Sequence, residues 1–342
     1  MKSLVQVCFA AASLTVCAAS AEDSRNSSTE SQVGTPLVGY VFDRVDKGIR
    51  PVWGVAGASV VGDPLDIGLP VSSAAVSPKQ DFAVLVSSDD AGVRVLSLQS
   101  GTFQVQPLAQ FANPPNQITF SPSGASVGLY RQDSATVQIF THMPEGPALS
   151  HEIHTFSLNG SLHSLAVSDD GDLTLILMRD QDISTVWLSV SGSDPFQLTQ
   201  APQSTAAVEF RGHSHDVVAA TTDGMIGIFR DIDPGSGYQT LRPPDDRIAD
   251  PVAVRFSADG SRVYLTTKRG TVASIDSQTG SAAVISCNCA PSGLFPLQPG
   301  TLLRLNDLSN GPLMLLDTSR PELHVWFVPS VITRKSSDGV AQ

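Results

Sequence analysis

Short apolar runs of four to seven residues, separated by turn residues, account for nearly the whole chain, and helical spacing of apolar positions is almost absent. The stretch beginning at Asp250 shows the pattern most clearly. Residues 251–257 read as one strand and Asp259-Gly260 as a turn; 262–267 is a second strand and Arg269-Gly270 a second turn. A third strand over 271–276 then leads through Thr279-Gly280 to a fourth over 282–286. This predicts a four-stranded antiparallel meander. Glycine recurs at its corners because tight hairpin loops call for positive φ, which a residue without Cβ adopts freely.

The meander repeats. Its signature is an apolar pair or triplet, Ser, and a turn with Gly or Asp. It reads Ala74-Ala75-Val76-Ser77-Pro78, Ile118-Thr119-Phe120-Ser121-Pro122-Ser123-Gly124, Leu165-Ala166-Val167-Ser168-Asp169-Asp170-Gly171 and Val254-Arg255-Phe256-Ser257-Ala258-Asp259-Gly260. A degenerate copy, Val208-Glu209-Phe210-Arg211-Gly212, completes the series, so positions 77, 121, 168, 211 and 257 are separated by 44, 47, 43 and 46 residues. Units begin near Ser72, Asn116, Ser161, Thr205, Asp250 and Pro291, and a seventh over 36–68 lacks the Ser-turn phrase. One four-stranded sheet buries too little apolar surface to stand alone, and no unit is a polar cap, so the sheets are expected to close into a wheel. The predicted fold is all-β, a seven-bladed β-propeller of four-stranded antiparallel sheets, with six blades as the alternative count. Closure is expected to lay residues 37–42 beside 323–328.

The phrase running from Val254 to Leu265, continued by Gly270-Thr271-Val272-Ala273-Ser274-Ile275-Asp276 and Thr279-Gly280, resembles the YVTN-type β-propeller repeats of exported bacterial proteins. The copy from Leu165 to Ile176 is similar. The units resemble WD-repeat blades in geometry, without the Trp-Asp ending. The resemblance implies a fold and leaves function open, because such propellers include both lactone hydrolases and binding or assembly modules.

The ends read differently from the repeats. Met1-Lys2, the apolar stretch 4–16 and Ala19-Ser20-Ala21 predict a signal peptide over 1–21, removed before Glu22. Leu14-Thr15-Val16-Cys17 offers an alternative, lipid anchoring through Cys17. Residues 22–35 are almost wholly polar and are expected to be a disordered leader, like the tail 334–342, leaving 36–333 for the propeller. Asn26 and Asn159 stand in Asn-x-Ser sequences. No later run reaches the length of a membrane span, and the net charge of −12 disfavours nucleic acid or an anionic lipid surface. The expected product is exported, periplasmic or extracellular, and monomeric.

In a propeller the first strand of each blade lines the channel. The residue two before the anchor is Ala75, Thr119, Ala166, Glu209 and Arg255, so an opposed charge pair stands on consecutive blades. Two readings follow: a pair that orients a polar ligand, or an ion pair that fills the channel. Glu209, Arg255, His163 and Tyr238 are the candidate binding residues.

His213-Ser214-His215-Asp216 is the tightest histidine cluster, but it sits in a turn and no third or fourth ligand can be named, so no metal is expected. Cys287 and Cys289 are the cysteines left after leader removal and are candidates for a bridge across one residue. No nucleophile elbow, phosphate-binding glycine loop or His-Glu-x-x-His is present. Aromatics, at 6 %, are too sparse for a stacking groove; Trp53, Trp187 and Trp326 fall in predicted strands and are expected in the core.

These readings point to a non-enzymatic binding module without cofactor. It would recognise a protein or cell-envelope polymer through one loop face, with 141–151 and 231–250 as the contact loops. The alternative is a small-ester or lactone hydrolase with its site at the channel mouth.

Overall fold

A computed structural model describes residues 36–99, 103–298, 300–308 and 311–329. The expected signal peptide, leader, Cys17, Asn26 and the tail 334–342 lie outside them. No helix among the described residues is long and apolar enough to cross a membrane.

The described residues form seven antiparallel sheets. The first holds β1 (Leu37–Asp43), β2 (Gly48–Val55) and β3 (Ala58–Val61). The second is β4 (Val71–Val76), β5 (Phe82–Ser87), β6 (Val93–Ser97) and β7 (Val105–Ala109). The third is β8 (Gln117–Phe120), β9 (Val127–Arg131), β10 (Thr136–Thr141) and β11 (Ala148–His154). The fourth is β12 (Ser161–Val167), β13 (Leu173–Asp180), β14 (Ile183–Val190) and β15 (Phe196–Gln197). The fifth is β16 (Thr205–Phe210), β17 (Val217–Thr221), β18 (Ile226–Phe229) and β19 (Tyr238–Arg242). The sixth is β20 (Pro251–Phe256), β21 (Arg262–Thr267), β22 (Thr271–Asp276) and β23 (Ala282–Ser286). The seventh is β24 (Phe295–Gln298), β25 (Leu302–Arg304), β26 (Leu313–Asp317) and β27 (His324–Val328). Each sheet is a meander in sequence order.

The repeated serine has a structural reason. Its carbonyl accepts from the amide three residues on, as in Gly171 N to Ser168 O at 3.0 Å and Gly260 N to Ser257 O at 2.9 Å. Its hydroxyl accepts the amide five residues on: Leu173 N to Ser168 Oγ at 2.9 Å, Arg262 N to Ser257 Oγ at 3.0 Å and Ser126 N to Ser121 Oγ at 3.1 Å. One side chain thus closes the first hairpin of the blade, satisfying donors that water would otherwise have to reach. The turn glycines sit at positive φ, +78° at Gly171 and +69° at Gly260.

Seven buried apolar clusters hold the wheel, one between each pair of neighbouring blades. Leu175, Leu177 and Leu188 of the fourth sheet pack on Phe210, Val217 and Phe229 of the fifth. Val218, Ile226 and Ile228 of the fifth meet Phe256, Val263 and Leu265 of the sixth. The ring closes in the same way, with Val38, Val41, Val52 and Val61 of the first sheet against Leu302, Leu313, Leu315 and Val328 of the seventh. Burying a Leu, Val or Phe contributes roughly 1.5–3 kcal/mol, so these interfaces dominate stability.

Four expectations need correction. Among the described residues the first sheet has three strands, whereas the other six have four. Residues 37–42 do not lie beside 323–328 as a paired strand. Among the described residues β1 pairs with β2 and β27 pairs with β26, and closure rests on side-chain packing, the isolated bridge of Asp43 with Leu308, the Arg44–Asp307 ion pair and the Gln80 side chain between Tyr40 and Pro296. The supposed loop 141–151 is a short turn followed by outer strand β11, and 231–250 contains outer strand β19 and a 3-10 turn at Asp246–Ile248. Their Pro and Gly residues fill the turns and connections on either side of these edge strands, Pro144 and Gly146 before β11 and Pro234, Gly235, Pro243 and Pro244 around β19. Trp326 is 37 % exposed on the outer edge, stacked on His324 with centroids 6.0 Å apart, because among the described residues no strand lies outside β27.

Candidate functional site

The turns joining first and second strands share one face, hereafter the turn face, and several converge on the channel mouth. They line a cavity of about 310 Å³ through Pro78, Pro122, His213, Ala258 and Gly300. Phe210, Phe256, Glu209 and Arg255 lie within it. A smaller cavity of about 120 Å³ lies deeper and is lined by Thr119, Ala166, Val252 and Glu209. Glu209 borders both, so its carboxylate stands between mouth and channel.

Glu209 Oε1 is 3.1 Å from Arg255 Nη2, with 24 % of the Glu209 side chain and 14 % of the Arg255 side chain accessible. The alternation of strands β16 and β20 places both residues two before their anchors and on the inner wall. Arg255 Nη1 also donates to the carbonyl of Leu294 at 3.2 Å, which fixes the guanidinium across the gap to the seventh blade. Burial pushes the Glu209 carboxyl up; the Arg255 charge pulls it down and Asp169 adds to the rise. Desolvation therefore outweighs the ion pair, as expected where a carboxylate is held in a narrow apolar throat.

Asp169, which the sequence reading did not single out, ties three turns together. Its Oδ1 accepts from Ser123 N at 2.8 Å and Ser123 Oγ at 2.6 Å, and its Oδ2 accepts from His213 N at 2.7 Å. Burial opposes its ionisation, but these donors outweigh it and hold the carboxyl below its usual range. The only sequence signal was its place in Ser168-Asp169-Asp170-Gly171, where the second aspartate already serves the hairpin.

The histidine cluster separates. The His213 ring is 85 % exposed and beside Asp169, whereas His215 Nε2 is 2.7 Å from Asp170 Oδ2 and its Nδ1 is 3.8 Å from Asp231 Oδ1. Among the described residues no three His, Cys, Asp or Glu side chains converge as a metal set.

Neither cavity touches His163 or Tyr238. His163 lies early in β12, toward the face opposite the turns; partial burial and the charges of Arg179 and Lys268 push its ring down, with the backbone of Ala206 acting against them. Tyr238 opens β19, packs on Phe229 with centroids 5.2 Å apart, and covers Gly227. Its buried hydroxyl has no partner among the described residues, and burial pushes its pKa up to about 12. Cys287 and Cys289 are bridged, with Cα atoms 5.1 Å apart, in the connection between sixth and seventh blades. There Cys287 N donates to Gly270 O at 2.8 Å.

No protein-family model matches the chain, and no curated protein matches it either. Solved structures do. A functionally unknown protein from Desulfotomaculum acetoxidans DSM 771 aligns with TM-score 0.58 at 13 % identity, covering 85 % of this chain and 99 % of that one. A candidate 6-phosphogluconolactonase from Bacteroides fragilis NCTC 9343 aligns with TM-score 0.58 at 16 % identity, covering 86 % and 94 %. At these identities the likeness is one of fold.

Proposed function

We propose that the chain is an exported, non-enzymatic propeller that binds a polar group of a protein or envelope polymer at the turn-face channel mouth. The carrying observation is the cavity of about 310 Å³ that ends on the partly accessible Glu209–Arg255 pair. A preformed apolar cup with a few converging polar groups is the usual form of a recognition site. Arg255 presents a fixed planar donor and Glu209 an acceptor whose partner among the described residues is Arg255, so an incoming amide or hydroxyl meets both a donor and an acceptor. The leader expected over 1–21 supports export.

The test is capture from envelope extract, followed by titration of the captured partner against wild type, R255A and a chain with residues 231–237 deleted. Binding weakened tenfold or more by R255A supports the mouth as the site. Unchanged affinity with R255A rejects it, and loss only with the deletion moves the contact to the β18–β19 turn.

The second reading, a small-ester or lactone hydrolase, draws on the raised Glu209 carboxyl, the property of a general base, and on the description of the Bacteroides structure. Turnover of a simple lactone that disappears in E209Q would replace the binding proposal.

A further inference from the structure

The connection between the third and fourth blades narrows to Asn159-Gly160, which stands between two fixed points. On one side Leu158 is buried among Ile139, Ile153, Leu165 and Ile176, and its amide donates to Thr155 O at 3.0 Å. On the other, Ser161 pairs with Arg179 at the start of β12, and its hydroxyl donates to the Arg179 carbonyl at 3.4 Å. Asn159 and Gly160 themselves are exposed. Among the described residues neither the Asn159 carboxamide nor the Gly160 amide has a hydrogen-bond partner.

The glycine is required where it stands. Its φ is +93°, and a Cβ there would lie 2.5 Å from the Arg179 carbonyl oxygen. The turn therefore keeps, directly after an asparagine, the residue with the freest backbone and no side chain to shield its amide. The Asn159 carboxamide carbon is an electrophile and the Gly160 nitrogen a nucleophile tethered to it, so ring closure needs no second molecule to be captured.

The other asparagines among the described residues lack one part of this arrangement. Asn113 precedes Pro114, which has no N–H, and its Nδ2 donates to Asp133 at 2.9 Å. Asn116 Oδ1 accepts from Gln132 N at 2.7 Å. Asn306 uses both ends of its side chain, accepting from Met314 N at 2.7 Å and donating to Pro312 O at 3.0 Å. Asn288 is enclosed by the Cys287–Cys289 bridge and is followed by a cysteine rather than a glycine.

We propose that Asn159 is a site of spontaneous deamidation through a cyclic imide, with water as co-reactant. The Gly160 nitrogen loses its proton to hydroxide and attacks Asn159 Cγ. The new C–N bond closes a five-membered ring, the Cγ–Nδ2 bond breaks, and Nδ2 leaves as ammonia with a proton taken from water. A water molecule then opens the imide at either carbonyl. Opening at Cγ gives aspartate on the original main chain, whereas opening at the main-chain carbonyl gives isoaspartate and routes the chain through Cβ and Cγ. In sum a water is consumed and an ammonia released, and nothing is oxidised or reduced. Both products add a negative charge to the link between the third and fourth blades. Isoaspartate also lengthens it by one main-chain atom, which two residues held between Leu158 and Ser161 have to absorb.

Peptide mapping of the bacterially produced full chain, aged while folded in mildly alkaline buffer, tests this without any ligand, so its outcome is independent of the binding proposal. Conversion at Asn159 should run no more than about tenfold slower than in the same chain unfolded in urea, as for a segment whose local opening costs almost nothing. The peptide should gain about one mass unit, because the carboxamide NH2 is exchanged for OH. It should also split into two chromatographic forms, of which an aspartate-directed protease cuts one. The rate should climb with pH, since the attacking nitrogen must give up its proton, and N159Q, which would have to close a six-membered ring, should stay intact. Asn159 unchanged in the folded chain while the urea-unfolded chain converts overturns the proposal. So does aspartate without its isomer, which would mean direct hydrolysis, or a mass gain confined to the chain's other Asn-Gly, Asn310-Gly311.

Discussion

Gln80 Nε2 donates to the carbonyl of Pro296 at 2.7 Å, joining the second and seventh blades across 216 positions of chain. The same amide accepts from Tyr40 N, so one side chain spans the seam where the ring closes. Losing both bonds should cost about 1–3 kcal/mol for Q80A, because a partly buried carbonyl and amide are left without partners. Urea unfolding is the measurement.

Asp169 should show acid-sensitive stability. Its folded pKa is lowered, so its contribution is fully present above the unfolded value and is lost as pH falls through the folded one. D169N should remove about 2–3 kcal/mol at neutral pH by weakening charge-assisted bonds to Ser123 and His213. The gap between wild type and D169N should narrow below pH about 4, the ordinary carboxyl range. A constant gap in urea titrations from pH 7 to pH 3 rejects the assignment.

Glu209 behaves oppositely. Its folded pKa is raised, so the folded state keeps the proton longer than the unfolded chain and stability declines as pH rises through that value. Relative to E209Q, wild type should gain stability on acidification from neutral pH toward the ordinary glutamate range. R255A should raise the carboxyl further, readable by carbon NMR of the labelled side chain.

Tyr238 and Gly227 form a packing pair, the ring lying over the glycine. Y238F deletes a buried hydroxyl that has no partner among the described residues and should be neutral or stabilising by about 1 kcal/mol. G227A should destabilise strongly, since its Cβ would lie 2.1 Å from the Tyr238 ring. Thermal melts of the two variants should therefore move differently, with the glycine variant well below wild type.

The Cys287–Cys289 bridge predicts a mass gain of about two hydrogens on reduction under denaturing conditions, since reducing one disulfide adds one hydrogen to each sulfur. Unchanged mass would dismiss it.

The strands of the sixth blade were legible almost to the residue, because Ser257, Gly260 and Gly270 each perform a local job that any chain needs at a hairpin. The Glu209–Arg255 pairing was legible for a related reason: opposed charges at matching positions of consecutive repeats face the same wall. What the repeat could not reveal were the contacts made between blades. Gln80 and Asp169 are ordinary turn residues until their partners, Pro296 and His213, are brought close by closure. Tyr238 was misplaced because the Pro and Gly around it masked a short edge strand whose inner face is apolar.

Each apolar cluster belongs jointly to two sheets, so no blade owns a nucleus of its own. A cut made in any connection between blades divides no cluster by itself; separating the pieces does. Two complementary fragments, each carrying a distinct pair of raw faces, should therefore find each other in solution and in a single order, which makes this wheel suited to split-reporter assembly.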